Sequence, residues 1–373
     1  IGRLIETGHA YQVDGDVYFE VNNFAGYGAL SHRGSSALAA GASGRLDQAE
    51  EKRKRDPADF ALWKSSQPSE QGWDSPWSIG RPGWHIECSA MSMKHLGETF
   101  DIHGGGLDLV FPHHENEIAQ SEAATGKKPV RYWVHNGFVE VDKEKMSKSL
   151  GNFFTARECF RLFEPEALRY YVLTVHYRAP LNLGWTLDAQ GALCGFPGVE
   201  EAERRVEYMY NTRKRLQAIA PSRIIDSADR APPELAEFSS RLRAALDDDL
   251  NTPVGLAATS EFLKSANELA EATRRKKGKA SRAAVKAAIE GFAALGRVLG
   301  LGEQQPDDFL GRVRARRVQA VGLSEQDVER EIVARVQARK AKDFQTADTI
   351  RDQLAEKGIE LMDGPEGTTW RVL

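Results

Sequence analysis

The apolar positions of the chain change their spacing near residue 155. Before this point, short apolar runs alternate with glycine-rich turns and with a few helical stretches. After it, apolar side chains recur three and four residues apart, so that they share one face of a helix. The pattern predicts an α/β domain that is followed by an all-α helical bundle and a small C-terminal α+β unit.

The first half is predicted to contain short strands. The turn sequence at 14–16, Asp-Gly-Asp, joins strand-like runs at 11–13 and 17–19. The polar stretch 34–58 is rich in glycine and serine and is interpreted as a solvated loop or helix face. The stretch 59–83 carries three tryptophans among Gly, Pro and Ser, and we interpret it as an irregular segment held by its aromatic rings. Further strands are predicted at 100–102, 132–134 and 138–141.

Helix signals follow in both halves. A helix is predicted over 84–96, where Gly97 stops it, and Pro112 opens a second helix of about a dozen residues that ends before Gly126. In the second half, Ser324 with Asp327 forms an N-cap. The helices predicted there cover 164–175, 197–217, 234–247, 254–273, 282–299, 325–340 and 343–357, and a hairpin ends the chain. The predicted domain boundaries are 1–155, 156–195, 196–311 and 312–373.

Composition narrows the classes of protein. Hydrophobic residues make up 41% and charged residues 28% of the chain, as in ordinary globular proteins. The net charge of -4 means that a nucleic-acid partner must dock on a local basic face. Three widely separated cysteines fit a reducing compartment, and neither a membrane span nor a signal peptide is evident. We therefore expect a cytoplasmic protein with no membrane contact, and a monomer.

Three residues are candidate metal ligands. His113 and Glu117 lie one helical turn apart and can hold one ion from the same face. Cys88 lies near the start of another predicted helix, where the helix dipole is expected to lower the pKa of its thiol. A Cys, His and Glu set suits zinc. Without further context, the spacing of His113 and Glu117 also fits a capped helix with solvated charges. Cys88 alone also fits a small buried hydrophobic residue.

A second candidate site is the five-residue sequence KMSKS at 145–149. It follows a predicted hairpin, and its two lysines, Lys145 and Lys148, can neutralise the charge that develops on a leaving pyrophosphate. Such stabilisation accelerates a reaction when it is strongest in the transition state.

These sequences resemble the cysteinyl-tRNA synthetases, which are class I aminoacyl-tRNA synthetases. The resemblance covers essentially the whole chain and is carried by GRPGWHIECSAM at 80–91, HGGG at 103–106, FPHHENEIAQS at 111–121 and KMSKS at 145–149. It implies that domain 1–155 is part of a Rossmann-type catalytic fold with an insertion. It also implies that 156–195 contacts the tRNA stem, that 196–311 is a tRNA-binding bundle and that 312–373 recognises the anticodon.

The resemblance also assigns residue roles. The zinc ligands of the family fall on Cys88, His113 and Glu117, and a fourth ligand, a cysteine, lies upstream in the family and is absent here. Lys148 would bind ATP and, with Lys145, act in catalysis. The expected substrate contacts are Trp84, His85, His103 and Asp108.

The implied reaction activates L-cysteine with ATP and Mg²⁺ and transfers it to tRNA(Cys). Cysteine differs from serine by one atom, and a hydrophobic pocket separates such near-isosteres by only about 10–200-fold. Zinc binds a thiolate directly, so it can distinguish cysteine from serine by the sulfur atom and not by size. Zinc is therefore expected to recognise the substrate, one ion per subunit, and not to activate water.

The second half is expected to contact tRNA. The helical sequence EALRYY at 166–171 and the sequence DDDLNTP at 247–253 are similar to segments of the family. Arg335 and Arg339 in the terminal unit are candidates to pair with phosphates. Trp370 could stack on a base, although packing in the hairpin is the favoured interpretation.

One element of the family pattern is missing. The ATP-binding His-x-Gly-His sequence of class I synthetases has no counterpart, and the chain opens at Ile1 inside a helix-like run, so we expect that its N-terminal portion is missing. We also expect that this chain alone does not form the adenylate. The alternatives are the cysteine ligase of mycothiol synthesis, a non-catalytic tRNA-binding paralogue and a structural zinc protein. Residues 312–373 argue against the first, and the KMSKS sequence against the last.

Overall fold

The computed structural model of the chain describes residues 1–33, 52–67, 69–141, 144–146, 153–191, 193–275, 277–364 and 367–372. Two compact units can be distinguished. Unit 1 comprises Ile1–Phe138 with Arg178–Pro180, and unit 2 comprises Val139–Tyr177 with Leu181–Leu373. No described helix combines the length and the apolar character that crossing a bilayer requires.

Unit 1 begins with a short helix and a four-stranded antiparallel sheet. Its first elements are α1 (Gly2–Glu6), β1 (Ala10–Val13), β2 (Asp16–Phe19), β3 (Phe60–Ser65) and β4 (Gly80–Pro82), and the strands lie in the order β1-β2-β3-β4. The hairpin prediction is confirmed, because Asp14 and Gly15 both have positive φ angles, 49° and 87°. The interpretation of 59–83 as irregular is wrong for β3 and β4. The first four residues of β3 are all buried, so the strand lacks the alternation that would have revealed it.

The rest of unit 1 contains a parallel strand pair with a helical connection. The elements are α2 (Trp84–Leu96), β5 (Phe100–Gly106), a 3₁₀ turn (Leu107–Leu109), a π-helical turn (Val110–His114), α3 (Glu115–Thr125) and β6 (Val130–Asn136). The helix predicted at 84–96 is confirmed. The prediction that Pro112 opens the next helix agrees with the backbone: Phe111 has extended angles, helical angles follow it, and the helix ends before Gly126, although the α-helical hydrogen bonding of α3 starts at Glu115.

Unit 2 begins with short strands and continues as a helical bundle. Its elements up to residue 299 are β7 (Val139–Val141), β8 (Glu144–Lys145), α4 (Ala156–Leu162), α5 (Pro165–Leu173), β9 (Leu181–Asn182), β10 (Thr186–Leu187), β11 (Leu193–Gly195), α6 (Pro197–Gln217), β12 (Ile224–Ile225), α7 (Pro233–Ala236), α8 (Phe238–Asp247), α9 (Thr252–Arg274), β13 (Ala280–Ser281) and α10 (Arg282–Leu299). The bundle core includes Tyr210, Phe238 and Phe262, and the last two rings stack with centroids 4.3 Å apart. Helices α6 and α10 have the predicted bounds, whereas the helix predicted at 234–247 divides into α7 and α8.

The end of unit 2 has three helices and a hairpin. These are α11 (Pro306–Ala320), α12 (Glu325–Lys340), α13 (Phe344–Glu356), β14 (Ile359–Gly364) and β15 (Gly367–Val372). Ser324 and Asp327 form a full capping box at the start of α12, as predicted. Helix α11 was not predicted as such, because its basic sequence buries only Pro306, Phe309, Val313 and Val318. The packing interpretation of Trp370 is confirmed, since its ring is buried and its Nε1 donates to Glu329 over 2.8 Å.

Candidate metal and substrate site

The candidate ligands come from neighbouring elements of unit 1. Cys88 lies on the second turn of α2, and Ile86 of the same helix packs into the core of the sheet. His113 lies in the π-helical turn, and Glu117 lies in the first turn of α3. Because the turn and the helix are continuous, His113 and Glu117 lie one turn apart.

Three side chains form what we call the sulfur cluster, namely Cys88, His113 and Glu117. Their ligand atoms all lie within 4.8 Å of one another. His113 Nε2 is 3.5 Å from Cys88 Sγ and 3.1 Å from Glu117 Oε1. The sequence prediction that these three residues converge is confirmed by the geometry; that they hold zinc stays a prediction.

The sulfur cluster has the chemistry of an incomplete cation site. Glu117 Oε1 is buried and has no hydrogen-bond partner within the described part of the chain, although an unpaired buried carboxylate oxygen is costly. A soft thiol sulfur, an imidazole nitrogen and a carboxylate oxygen are together a donor set that suits zinc. The residues present therefore fit this ion.

The expected lowering of the Cys88 pKa is wrong. Burial, together with the negative charges of Glu117 and Glu87, raises the pKa of this thiol. The helix dipole acts mainly within the first turn, and Cys88 lies beyond it. The thiol by itself therefore stays protonated at neutral pH, and only a nearby cation would favour its thiolate form.

Two predicted substrate contacts lie against His113. A hydrogen bond of 2.8 Å joins His85 Nδ1 to His113 Nδ1, and burial lowers the pKa of His85 to about 3. A neutral His85 can accept this bond; His113 would then carry its proton on Nδ1 and direct the lone pair of Nε2 at the cluster. The ring of Trp84 is 61% exposed and lies 4.4 Å from that of His113, centroid to centroid. Trp84 thus forms an exposed wall beside the cluster, and its contact with substrate stays a prediction.

A second set of side chains shares Glu117, and we call it the imidazole cluster: His103, His114 and Glu117. Their ligand atoms also lie within 4.8 Å of one another. His103 Nε2 is 3.5 Å from Glu117 Oε2, and His114 Nδ1 is 2.7 Å from Nε2 of His135. Burial and the neighbouring histidines lower the pKa of His114 to about 3, so this ring is neutral.

Sequence reasoning missed several residues around these clusters. His114 and His135 lie 21 positions apart, and only the pairing of β5 with β6 brings them together. Glu115, which is buried, accepts hydrogen bonds from the backbone N–H groups of Gly28 and Ser31 over 2.9 and 2.8 Å. The run of consecutive polar residues from His113 to Glu117 was a signal, because polar residues in series on a buried helix need partners.

The other predicted site residues are Asp108, Lys145 and Lys148. Asp108 is exposed on the 3₁₀ turn after β5. Lys145 lies in β8, opposite Glu140 of β7. Lys148 lies outside the described residues, so its predicted role in ATP binding and catalysis stays a prediction, as does that of Lys145.

One expectation about tRNA contacts is wrong for Arg335. This side chain is buried, with 5% exposed, and makes two hydrogen bonds of 2.8 Å to the carboxylate of Asp363. Arg339 also reaches Asp363, over 2.9 Å. These arginines hold the pKa of Asp363 well below its usual range. Arg335 is therefore an internal partner of the terminal hairpin, which removes it from contact with phosphates.

Family descriptions match three consecutive parts of the chain. The class I (C) tRNA synthetase catalytic domain matches residues 1–190, the DALR domain matches 241–303, and the cysteinyl-tRNA ligase anticodon binding domain matches 325–371. The three matches fall in the order that the sequence resemblance implies.

Curated relatives and a solved structure are also similar. The cysteine–tRNA ligases of Geobacter metallireducens and Geobacter sulfurreducens are each 48% identical to the chain, over 100% of it and 74% of their own length. A methionyl-tRNA synthetase of Mycobacterium tuberculosis in complex with methionyl-adenylate aligns with a TM-score of 0.49 and 14% identity, over 86% of this chain and 68% of that one, which is too low a similarity to carry an inference. On the family matches and the identity to these relatives, the chain belongs to the cysteine–tRNA ligase family of class I aminoacyl-tRNA synthetases.

Proposed function

We propose that this protein joins L-cysteine to tRNA(Cys) at the expense of ATP, and that it selects cysteine through a zinc ion held by the sulfur cluster. The observation that carries the zinc assignment is the convergence of Cys88, His113 and Glu117, in which Oε1 of Glu117 is buried and makes no hydrogen bond to the residues that the structure describes. Family membership supports the reaction, and the cluster supports the choice of amino acid.

Zinc in this cluster would supply a preference for a thiol sulfur over the harder hydroxyl oxygen of serine. The protein groups prepare the site. His85 is hydrogen-bonded to His113 through the two Nδ1 atoms, and Trp84 lies against the ring of His113. The cluster also lies beside His103, whose ring contacts Trp133 at 4.9 Å. A small side chain would thus enter a site walled by aromatic rings.

The proposed reaction has two steps. The carboxylate of cysteine attacks the α-phosphate of ATP, which comes with Mg²⁺, and pyrophosphate leaves. A terminal ribose hydroxyl of tRNA then attacks the activated carbonyl, and AMP leaves. Lys145 and Lys148 are proposed to neutralise the charge on pyrophosphate, so that positioning and electrostatics accelerate the reaction without a covalent intermediate on the enzyme.

Two alternatives are less well supported. A cysteine ligase that acts on an amino sugar has no use for an anticodon-binding part, and the match over 325–371 is to such a part. A structural zinc protein would not need the exposed approach that Trp84 leaves beside the cluster. The proposed partners are tRNA(Cys), cysteine and ATP, and the proposed compartment is the cytoplasm.

Metal analysis with matched cysteine variants tests the zinc assignment. Cys88→Ala is expected to lower bound zinc from about one ion per chain to well below it, because the sulfur donor is lost. Cys194→Ala is the control, since Cys194 is exposed in a strand of unit 2 and belongs to neither cluster. Equal zinc content in Cys88→Ala and Cys194→Ala would contradict the assignment of zinc to the sulfur cluster.

Charging of tRNA(Cys) by the protein in its natural length tests the reaction. Cysteine is expected to be accepted and serine rejected, and Cys88→Ala should lose the preference together with the rate. Charging that is normal in Cys88→Ala would contradict the role of the cluster. An absence of cysteine charging by the unaltered protein would contradict the proposed function itself.

A further inference from the structure

Positive charge is concentrated in the connection between helices α9 and α10. The sequence there, RRKKGKASR at 274–282, contains six basic residues and no acidic one, although the whole chain has a net charge of -4. We propose that the described residues of this segment, 274–275 and 277–282, which we call the basic loop, contact the phosphate backbone of tRNA. The inference rests on the proposed function, because it takes tRNA as the partner.

The backbone of the basic loop is fixed by its neighbours in unit 2. Strand β13 (Ala280–Ser281) pairs in parallel with β12, and Arg223 donates a hydrogen bond to the carbonyl oxygen of Gly278 over 3.2 Å. Gly278 packs so closely on the end of α9 that a Cβ atom there would overlap the carbonyl oxygen of Ala272. A loop that is already fixed loses little conformational freedom when a partner binds to it.

Three exposed side chains give the basic loop its positive surface, namely Arg275, Lys277 and Lys279. None of the three has an ion-pair partner among the residues that the structure describes. Because like charges close together repel one another, an anionic partner that lies across all three lowers their energy.

The other two basic residues of the loop have partners within the fold. Arg274 lies 3.3 Å from the carboxylate of Glu271, and Arg282 lies 2.5 Å from that of Asp226. These ion pairs occupy two of the cations of the loop with acidic neighbours. The positions that separate binding from folding are therefore the three in the middle of the loop.

The chemistry of the basic loop fits a nucleic-acid backbone. Lys and Arg side chains that neutralise phosphates release bound counterions and give affinity without reading the base sequence. Of the three proposed ligands, tRNA alone is an extended polyanion. The loop falls within the match to the DALR domain, and the match to the anticodon binding domain follows it in the same unit. These observations favour tRNA as the polyanion that the loop contacts.

Binding of labelled tRNA(Cys) to the protein in its natural length, at increasing salt, tests the proposal. The test variant combines Arg275→Gln, Lys277→Gln and Lys279→Gln. It should bind at least about tenfold more weakly at about 0.1 M salt and almost equally at high salt, since each lost phosphate contact lowers the slope of log K against log salt by about 0.7–0.9. Non-cognate tRNA should be weakened to the same extent, because phosphate contacts carry no sequence information.

Two matched variants separate local charge from other effects. Exchanging Arg and Lys at the same three positions keeps every charge and should leave the affinity and the salt slope unchanged. The second variant removes three exposed basic residues on helices α8, α9 and α10, by the changes Arg243→Gln, Lys264→Gln and Arg297→Gln. It has the same net charge as the test variant and should bind tRNA nearly as the unaltered protein does.

Each outcome decides one point. If the unaltered protein binds tRNA(Cys) and the test variant binds it with the same affinity and salt slope, the loop contact is overturned and the proposed function stands. Equal weakening in the net-charge control also overturns the loop contact. Failure of the unaltered protein to bind tRNA(Cys) contradicts the proposed function and the loop contact together. Loss of binding to phosphatidylglycerol vesicles with unchanged tRNA binding would assign the loop to a membrane surface instead.

Discussion

Two buried groups of charged and polar side chains differ in how completely they are paired. In unit 2, Glu203 is 1% exposed and accepts hydrogen bonds from Arg316, from Arg317 and from the backbone N–H of Glu164. In unit 1, Glu117 is also buried, with 4% exposed, yet one of its oxygens has no hydrogen-bond partner among the residues that the structure describes. A buried group with a full set of partners is explained by the fold, whereas a buried group without one points to a ligand.

The largest expected effect is on the fully paired group. Glu203→Ala should lower the free energy of unfolding by about 3 kcal/mol, because it removes the buried carboxylate that Arg316 and Arg317 share and leaves them only Glu164 and Glu207. Chemical denaturation measures this. Glu200→Ala on the same helix removes an exposed ion pair with Arg204 and should cost less than about 1 kcal/mol. Similar losses of stability in Glu203→Ala and Glu200→Ala would contradict the claim that the buried carboxylate contributes more than the exposed one.

The next effect concerns the incompletely paired group. Zinc at 100 times its dissociation constant should stabilise the chain by about 2.7 kcal/mol, because it binds the folded state alone. Glu117→Gln should abolish this gain, because a neutral amide replaces the charged ligand. Without metal it should cost about 1 kcal/mol, since the contacts of the carboxylate with His113 and His103 weaken. Thermal unfolding with zinc and with a chelator measures both. Glu122→Gln, on the same helix, is the control and should keep the stabilisation by zinc. If zinc stabilises Glu117→Gln as much as the unaltered chain, Glu117 does not bind the ion.

A smaller effect is expected from the support behind the ligand. His85→Ala should weaken zinc binding about 10–100-fold, because His113 then loses the partner that fixes its tautomer. Competition with a coloured chelator measures the affinity. His95→Ala, an exposed position on the same helix, should leave the affinity unchanged. If His85→Ala binds zinc as tightly as the unaltered chain, the hydrogen bond has no part in the metal site.

The smallest effect is a pH dependence in the terminal hairpin. Arg335 holds the pKa of Asp363 below its unfolded value, so the ion pair stabilises the fold above about pH 4 and this contribution disappears as the pH falls further. Because the Asp363 side chain is 45% exposed, the gain at pH 7 should be only about 1 kcal/mol. Asp363→Asn should remove it, and the two proteins should converge in stability on acidification. A constant difference down to pH 2 would contradict this assignment.

Local signals in the sequence predicted much of the fold. The bounds of α6, α10 and α12 follow from helix periodicity and capping residues, which act over a few positions. Strand β3 was missed because both of its faces are covered, so that its sequence carries no alternation. Helix α11 was missed because its arginines satisfy buried carboxylates of other helices, and only the folded chain shows those partners.

The sequence predicted the candidate ligands of the site but not the residues that surround them. Cys88, His113 and Glu117 belong to sequences that resemble one family, and the structure brings them together. The partners behind them, His114 with His135 above all, depend on strand pairing between distant segments. The protonation of Cys88 could not be inferred from helix position alone, because its pKa is raised first by burial and then by the charge of Glu117, and both depend on the folded chain.

The first turn of α3 both fixes the loop at 27–31 and orients Glu117, a candidate metal ligand. Glu115 grips the backbone of Gly28 and Ser31, the next residue, Asn116, accepts a hydrogen bond from Tyr27, and Glu117 faces the two clusters. A change in the length of the loop at 27–31 therefore pulls on the helix that carries the shared carboxylate. For protein engineering, the length of this loop offers a way to shift Glu117 while the candidate ligands Cys88, His113 and Glu117 themselves stay unchanged.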